Sequence, residues 1–239
     1  MALATLLQYE ICPFCSKVKG MLDFYRVPYR TIEVNPLSKQ QLLSADFRAK
    51  KVPMLVVPGG SKVSDSPVIL QTLWDQQIFR DKTVAQPVWS RWETFVDKKL
   101  AVVLFPTITR NFAESWQAFA YLNAAPGFSP AEKIVNQTLG SIAMTLANGR
   151  LKKKYGISDE RHALYECITE WSSSLNGVFH GGSNPDEVDA LVFSVLRSIE
   201  GLEAHRWILE SGPHHFLKWN ASMISRLGVR HSHRIERLY

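Results

Sequence analysis

Cys12-Pro13-Phe14-Cys15 sets two thiols at the start of a basic amphipathic segment, directly after an apolar run over residues 4–9. A thiol there opens a helix. The first N–H groups of a helix have no partner within it, and their aligned dipoles favour a thiolate over a thiol. Cys12 is the expected nucleophile, with Lys17 and Lys19 one to two turns on to favour its anion. Cys15, about one turn into the helix, is expected to be the more buried thiol and suits a resolving role. Tyr9 can donate a hydrogen bond to the thiolate or to a substrate, or can be an ordinary strand-end aromatic. Phe14 can wall the thiol or simply pack. A Cys-x-x-Cys between a strand and a helix reads as a thioredoxin-like redox motif. No second such motif or paired histidine completes a zinc site, so no metal is expected.

Two further pairs belong to the same chemistry. Val52-Pro53 opens a strand, where proline is disfavoured unless its peptide is cis or the strand end irregular. In a thioredoxin-type fold that turn lies against the thiol. It leaves the Val52 backbone free to pair with an extended peptide such as glutathione. Asp65-Ser66 sits at a helix start. Ser66 can hold a carboxylate and Asp65 an ammonium, the two charges of a γ-glutamyl group; plain N-capping uses the same residue types.

The elements that must position these residues follow from periodicity. Strands are expected over residues 4–9, 29–34, 52–57 and 61–63, the last two joined by a turn at Gly59-Gly60. Helices are expected over 14–25, 37–47 and 68–77. The order β-α-β-α-β-β-α is that of a thioredoxin-type α/β domain. From residue 88 the strand signals vanish. Trp89, Trp92, Phe95, Val96, Leu100 and Val103 mark one helix face, which Pro106 is expected to interrupt. Further helices are expected over 112–122, 130–155, 158–175, 186–199 and 216–227. Ser129 and Asp186 are placed as caps, with Glu132 and Asp189 completing capping boxes. The expected organisation is a thioredoxin/glutaredoxin-like domain at 1–79, a linker at 80–87, an all-α domain at 88–228 and a basic tail at 229–239.

Composition narrows the function. A net charge of +6 over 239 residues is mild and forms no basic stripe, so no nucleic-acid partner is expected. Three cysteines do not make a disulfide framework and favour a reducing compartment, cytoplasmic or organellar; Cys167 reads as a core residue. Residues 1–8 lack a basic leader and are too short for a signal peptide. Lys152-Lys153-Lys154 reads as a solvated helix end or a peripheral membrane contact. His214-His215, His231 and His233 read as loop or tail histidines without metal partners.

These residues together resemble the glutathione S-transferase superfamily, and within it the type 2 prostaglandin E synthase family. The likeness rests on residues 9–19, Glu33-Val34-Asn35-Pro36, Lys51-Val52-Pro53 and Asp65-Ser66. In the second half it rests on Leu164-Tyr165-Glu166, Gly181-Gly182 and Asp189-Ala190-Leu191. The resemblance implies that Cys12 is the catalytic thiol, lined by Tyr9 and Phe14. It implies that Val52, Pro53, Asp65 and Ser66 hold glutathione, and that a lipid endoperoxide is isomerised from prostaglandin H to prostaglandin E. It further implies haem bound together with glutathione, and a homodimer. Cys15 favours one alternative, a glutaredoxin-like thiol-disulfide oxidoreductase, and a glutathione transferase is another. A haem- and glutathione-binding module without turnover is another.

Overall fold

The computed structural model describes residues 4–43 and 51–227. The first element, β1 (Ala4–Gln8), is wholly buried and lies at the middle of a four-stranded sheet. It pairs in parallel with β2 (Tyr29–Glu33) and antiparallel with β3 (Met54–Val56), which continues to the edge strand β4 (Lys62–Ser64), giving the order β2-β1-β3-β4. Side-chain alternation sends Leu6 and Leu55 into the main core and Leu7 and Met54 into a smaller cluster on the other face. Helices α1 (Pro13–Phe24) and α3 (Ser66–Asp75) cover the first face through Val18, Leu22, Ile69 and Leu73. The short α2 (Gln40–Leu43) covers the second with Leu42. The expected helix over 37–47 is one turn here and begins only at Gln40, because Leu37 and Ser38 lie in a turn whose N–H groups bond Asn35 Oδ1; residues 44–47 lie outside the described residues.

The second half is helical. α4 (Gln86–Phe95) passes through a widened π-type turn, Val96–Leu100, into α5 (Ala101–Thr107). There follow α6 (Phe112–Phe119) with a 3₁₀ turn at Ala120–Asn123, the long α7 (Pro130–Tyr155), α8 (Glu160–Ser173), α9 (Glu187–Leu196), α10 (Glu203–Ser211) and α11 (His214–Leu227). This thioredoxin-like sheet followed by a helical bundle is the fold class read from the sequence. Both capping boxes form as expected, Ser129 with Glu132 and Asp186 with Asp189, and α7 ends on Gly156 in the left-handed conformation at φ 67°.

Three expectations on the helical half are corrected. The helix does not stop at Pro106 but includes it. Pro106 stands one residue from the end, so its missing N–H removes a single final-turn bond, and its carbonyl accepts from Asn148 Nδ2 at 2.8 Å. α10 was not expected, because Leu202 at its N-cap gives no capping signal. Its trace in the sequence is the i, i+4 pair Ala204 and Ile208 between Gly201 and Gly212. His214 and His215 are not loop residues but the first two residues of α11. The tail beyond residue 227, with His231 and His233, lies outside the described residues.

The two halves share one core, and the contact of α1 with α9 is the tightest in it. A Cβ at Gly20 would stand 2.0 Å from Ser194 Cβ, so only glycine lets the two helices approach this closely. Lys17, fully buried, leaves α1 for the helical half and bonds Asp97 Oδ1 and Oδ2 at 2.7 and 2.8 Å, with Glu93 at 3.8 Å. The π turn is what presents Asp97. Glu187 at the start of α9 accepts from the Thr83 N–H, the Thr83 hydroxyl and the Tyr25 hydroxyl at 2.7–2.9 Å. The orientation of α1, and of any group at its N-terminus, is therefore fixed from the helical side.

Candidate active site

Cys12 occupies the N-cap of α1, in extended conformation, with Pro13 in the first turn where its missing N–H costs nothing. Its side chain makes no capping bond to the helix, and its own N–H donates to the Tyr9 carbonyl at 3.0 Å. Cys12 is 6% exposed, Cys15 not at all, and both are free thiols. Cys15 is the more buried of the two, as the helical spacing predicts. The pair holds its thiols apart in acidity. Cys12 is pulled below its ordinary value first by a hydrogen bond from the Cys15 thiol, against its own burial, then by the N–H groups of Cys15 and Phe14 and by the charge of Lys19. Burial pushes Cys15 well above its ordinary value, and the Cys12 anion adds to that. The pair thus favours the anion on Cys12 and the proton on Cys15. Lys17 takes no part in this, since Asp97 claims its ammonium. Phe14 serves the site through its N–H, while its ring packs against the main core.

A cavity of about 300 Å³ opens on Cys12 at the junction of the two halves. Tyr9, Ile11 and Cys12 supply one wall, and Pro36 and Lys39 the rim after β2. Phe105, Ile108 and Thr109 come from the end of α5, Phe119 and Tyr121 from α6 and its 3₁₀ turn, and Met144 from α7. Most of this lining is apolar, the wall type of pockets for hydrophobic small molecules. Burial raises the Tyr9 phenol to about 12 and the Tyr121 phenol well above its ordinary value, with nearby negative groups adding to both shifts. Both phenols therefore keep their protons at neutral pH and can donate them. The rim has a local cause: Asn35 Oδ1 accepts from the N–H groups of Leu37 and Ser38 at 3.0 Å, turning the chain directly after Pro36.

Behind this wall lies a buried polar cluster. Gln8 Nε2 donates to Glu33 Oε2 at 2.9 Å and to Glu10 Oε2 at 2.6 Å; Lys19 Nζ bonds Glu10 Oε2 at 2.9 Å; the Glu10 N–H donates to Glu33 Oε1 at 3.0 Å. Burial, joined by the charge of Glu10 and opposed by that of Lys19, raises Glu33 to about 8. A carboxyl raised on folding stabilises the protein fully below its ordinary range, and this contribution is lost as pH rises through the folded value. Thermal stability should therefore fall as pH rises from 4.5 to about 8 and level off above that, and Glu33→Gln should flatten that dependence; calorimetry across this range reads it. An unchanged slope in the variant would contradict the assignment.

The other expected binding residues stand in a row beside the thiol loop. Leu7 of β1, Met54 of β3 and Ser64 of β4 lie side by side in the ladder. One step beyond that row the chain reaches Gln8, then Tyr9 and Cys12 from β1, Pro53 from β3 and Asp65 from β4. The Val52-Pro53 peptide is cis, and Val52 packs with Tyr9 on the smaller cluster. Asp65 is exposed with φ 69°, a left-handed conformation uncommon outside glycine. Ser66 is buried, and α3 starts without a side-chain cap. Its first-turn N–H groups are thus open to an anion. Val52, Pro53, Asp65 and Ser66 do not line the 300 Å³ cavity; they extend from it along the sheet end. Tyr121, Thr109 and Met144 escaped the sequence reading, because nothing local ties residues 109–144 to a thiol at residue 12. Among the described residues no cluster of potential ligands fits a metal ion, and no helix is long and apolar enough to cross a membrane. Cys167, buried and raised to about 12, is an inert core thiol.

Residues 6–77 match the family model for the glutathione S-transferase N-terminal domain. Prostaglandin E synthase 2 of Danio rerio is 29% identical over 253 residues, covering 86% of this chain and 67% of that protein. Prostaglandin E synthase 2 of Mus musculus is 30% identical over 249 residues, covering 84% of this chain and 64% of its own length. The chain thus spans about two thirds of these relatives. Among solved structures, glutathione transferase GSTFuA3 from Phanerochaete chrysosporium superposes with a TM-score of 0.66 at 16% identity, with 100% of both chains covered. Glutaredoxin 2 from Salmonella typhimurium, solved in complex with glutathione, superposes with a TM-score of 0.53 at 15% identity and 96% coverage of each chain. At such identities the structural likeness shows the fold.

Proposed function

We propose that this chain, which carries a glutathione S-transferase N-terminal domain and is similar to prostaglandin E synthase 2 over most of its length, is a glutathione-binding thiol enzyme that isomerises a lipid endoperoxide at Cys12. One observation carries the reading. An activated thiol at a helix N-cap opens into a mostly apolar cavity that also holds two protonated phenols. A thiol-disulfide exchanger needs the thiol but not the apolar chamber; an isomerase of a lipid peroxide needs both.

The chemistry is balanced without an outside oxidant. The Cys12 thiolate attacks one endoperoxide oxygen, forming an S–O bond as the O–O bond breaks. The other oxygen leaves as an alkoxide and takes a proton from a phenol, for which Tyr9 is the nearest neighbour of Cys12 in the chain. Loss of the hydrogen on the carbon bearing the S–O group then forms the ketone and returns the thiolate, and that proton restores the phenol. Glutathione would lie along the sheet end. Its γ-glutamyl carboxylate would meet Ser66 and the open N–H groups of α3, its ammonium Asp65, and its backbone that of Val52. Bound there it supplies a second thiol next to the reacting one.

Cys15 gives a specific reason for a second reading, thiol-disulfide oxidoreduction. Its protonated thiol can resolve a mixed disulfide at Cys12 once deprotonated. Haem, which the family resemblance implies, would be a third occupant. The Cys12 thiolate is a haem-ligating type, and ligation there would take the nucleophile out of use. A Soret band on adding haem with glutathione, lost in Cys12→Ser, would support that occupant.

The purified chain and Cys15→Ser should both convert a prostaglandin H-type endoperoxide to the ketone faster than buffer with glutathione, the variant more slowly because Cys12 loses its thiol donor. Turnover of a glutathione-mixed disulfide with no endoperoxide turnover would replace the isomerase by the oxidoreductase.

A further inference from the structure

Cys12 ends a tight turn. Its N–H returns to the Tyr9 carbonyl at 3.0 Å, with Glu10 and Ile11 at the corner. Glu10 is the charged side chain of this turn, and it is held at both ends. Its N–H donates to Glu33 Oε1 at 3.0 Å, and its carboxylate accepts from Lys19 Nζ at 2.9 Å and Gln8 Nε2 at 2.6 Å. Gln8 Nε2 also donates to Glu33 Oε2, which closes a ring of bonds through Gln8, Glu10 and Glu33. The ladder register sets Gln8 of β1 beside Glu33 of β2. The turn is thus tied to the sheet through Glu33 and to α1 through Lys19. Gln8 and Lys19 are fully buried and Glu33 is nearly so, where hydrogen bonds are stronger than in water.

The charges show what the ring is for. A buried ion pair contributes little net stability, since desolvation offsets the attraction. The Lys19–Glu10 pair therefore has its use elsewhere, and the thiol lies within its reach. The charge of Lys19 favours the Cys12 anion, whereas that of Lys17 is taken by Asp97. Glu33, raised to about 8 mainly by burial, largely keeps its proton at neutral pH. The ring then sets one carboxylate against one ammonium, and a second carboxylate that would oppose the thiolate stays neutral. The titratable and charged groups around Cys12 are Cys15 and Lys19 on α1, Tyr9 and Glu10 in the turn, Glu33 on β2, Tyr121 in the 3₁₀ turn and Lys39 at the cavity rim.

We propose that Gln8, Glu10 and Glu33 are positioning residues for Cys12: they fix the turn that carries the sulfur and hold the Lys19 ammonium where its charge favours the thiolate. The assignment concerns the ionisation of Cys12 and applies to an isomerase and an oxidoreductase alike. The test is the pH profile of Cys12 alkylation by iodoacetamide in the full chain, with peptide mapping to place the label and thermal melts to follow the fold. Lys19→Met should raise the midpoint by about one pH unit, a roughly tenfold loss of thiolate at a pH below both midpoints. Lys19→Met combined with Glu10→Gln removes both buried charges together, so it should fold even where the single variant does not, and its midpoint should stay above the parent's. Glu33→Leu leaves the Glu10 N–H without its acceptor and should move the midpoint the same way; Glu33→Gln keeps a neutral acceptor and should reverse most of that shift. A midpoint unmoved in the Lys19 variants or in Glu33→Leu would overturn the proposal. So would equal shifts in Glu33→Leu and Glu33→Gln, or lower melting temperatures with an unchanged profile, the mark of a cluster that serves the fold alone.

Discussion

Cys12→Ser should lower turnover of both the endoperoxide and a glutathione-mixed disulfide by at least about 10³-fold while leaving the fold intact. The reason lies in the ionisation, not the shape. Cys12 sits at the N-cap facing the N–H groups of Cys15 and Phe14, and serine can accept from the same groups as a better N-cap residue than cysteine. Stability should hold or rise slightly. A serine hydroxyl at the same place is not ionised at neutral pH, however many N–H groups face it. Loss of activity with an unshifted melting temperature is therefore the expected signature. Comparable rates in the variant would move the chemistry to glutathione alone, with the protein as a holder.

Asp189→Ala should be the most damaging change to the fold, costing about 4 kcal/mol or more. Its fully buried carboxylate receives four donors: the N–H groups of His180 at 2.9 Å, Gly181 at 3.2 Å and Asp186 at 2.9 Å, and the Trp219 indole at 2.8 Å. Alanine leaves all four unpaired at the joint where the 176–186 loop, α9 and α11 meet. Asp189→Asn should cost less. It keeps one acceptor oxygen for the His180 N–H and the Trp219 indole but turns an NH₂ toward the other two donors. Because α9 is packed directly on α1 at Gly20, part of the damage should reach Cys12. A lowered melting temperature accompanied by slower alkylation of Cys12 is the expected pair of results. Denaturant unfolding that placed Asp189→Ala within about 1 kcal/mol of the parent would contradict the reading.

What was legible in the sequence was local. Cys12 with Pro13, the turn at Gly59-Gly60, the proline at 53 and the two capping boxes each announce their geometry within a few residues, and each formed. Lys17 shows the limit of such reading. Its spacing from Cys12 suggested support for the thiolate, but the π turn 80 residues later brings Asp97 within 2.7 Å and takes the charge away. Lys19, two residues on, does reach the thiol's field. Pro106 misled for a related reason. Its effect on a helix depends on how near the end it lies, and that end is set by packing against α7. Tyr121, Thr109 and Met144 carry no signal of their own, since a cavity wall made from three separate helices exists only after those helices pack. The site's nucleophile could be read from one motif; its chamber could not.

The decisive measurement is the pH dependence of iodoacetamide alkylation at Cys12, with Cys12→Ser as the blank and peptide mapping to place the label. The thiolate reacts and the thiol does not, so the midpoint of the rate against pH is the acidity of this sulfur in the folded protein. A midpoint clearly below about 8.5, the value of an ordinary cysteine, is the expected result. A midpoint at or above that value would contradict it, and an anionic Cys12 facing an apolar chamber would no longer describe this protein.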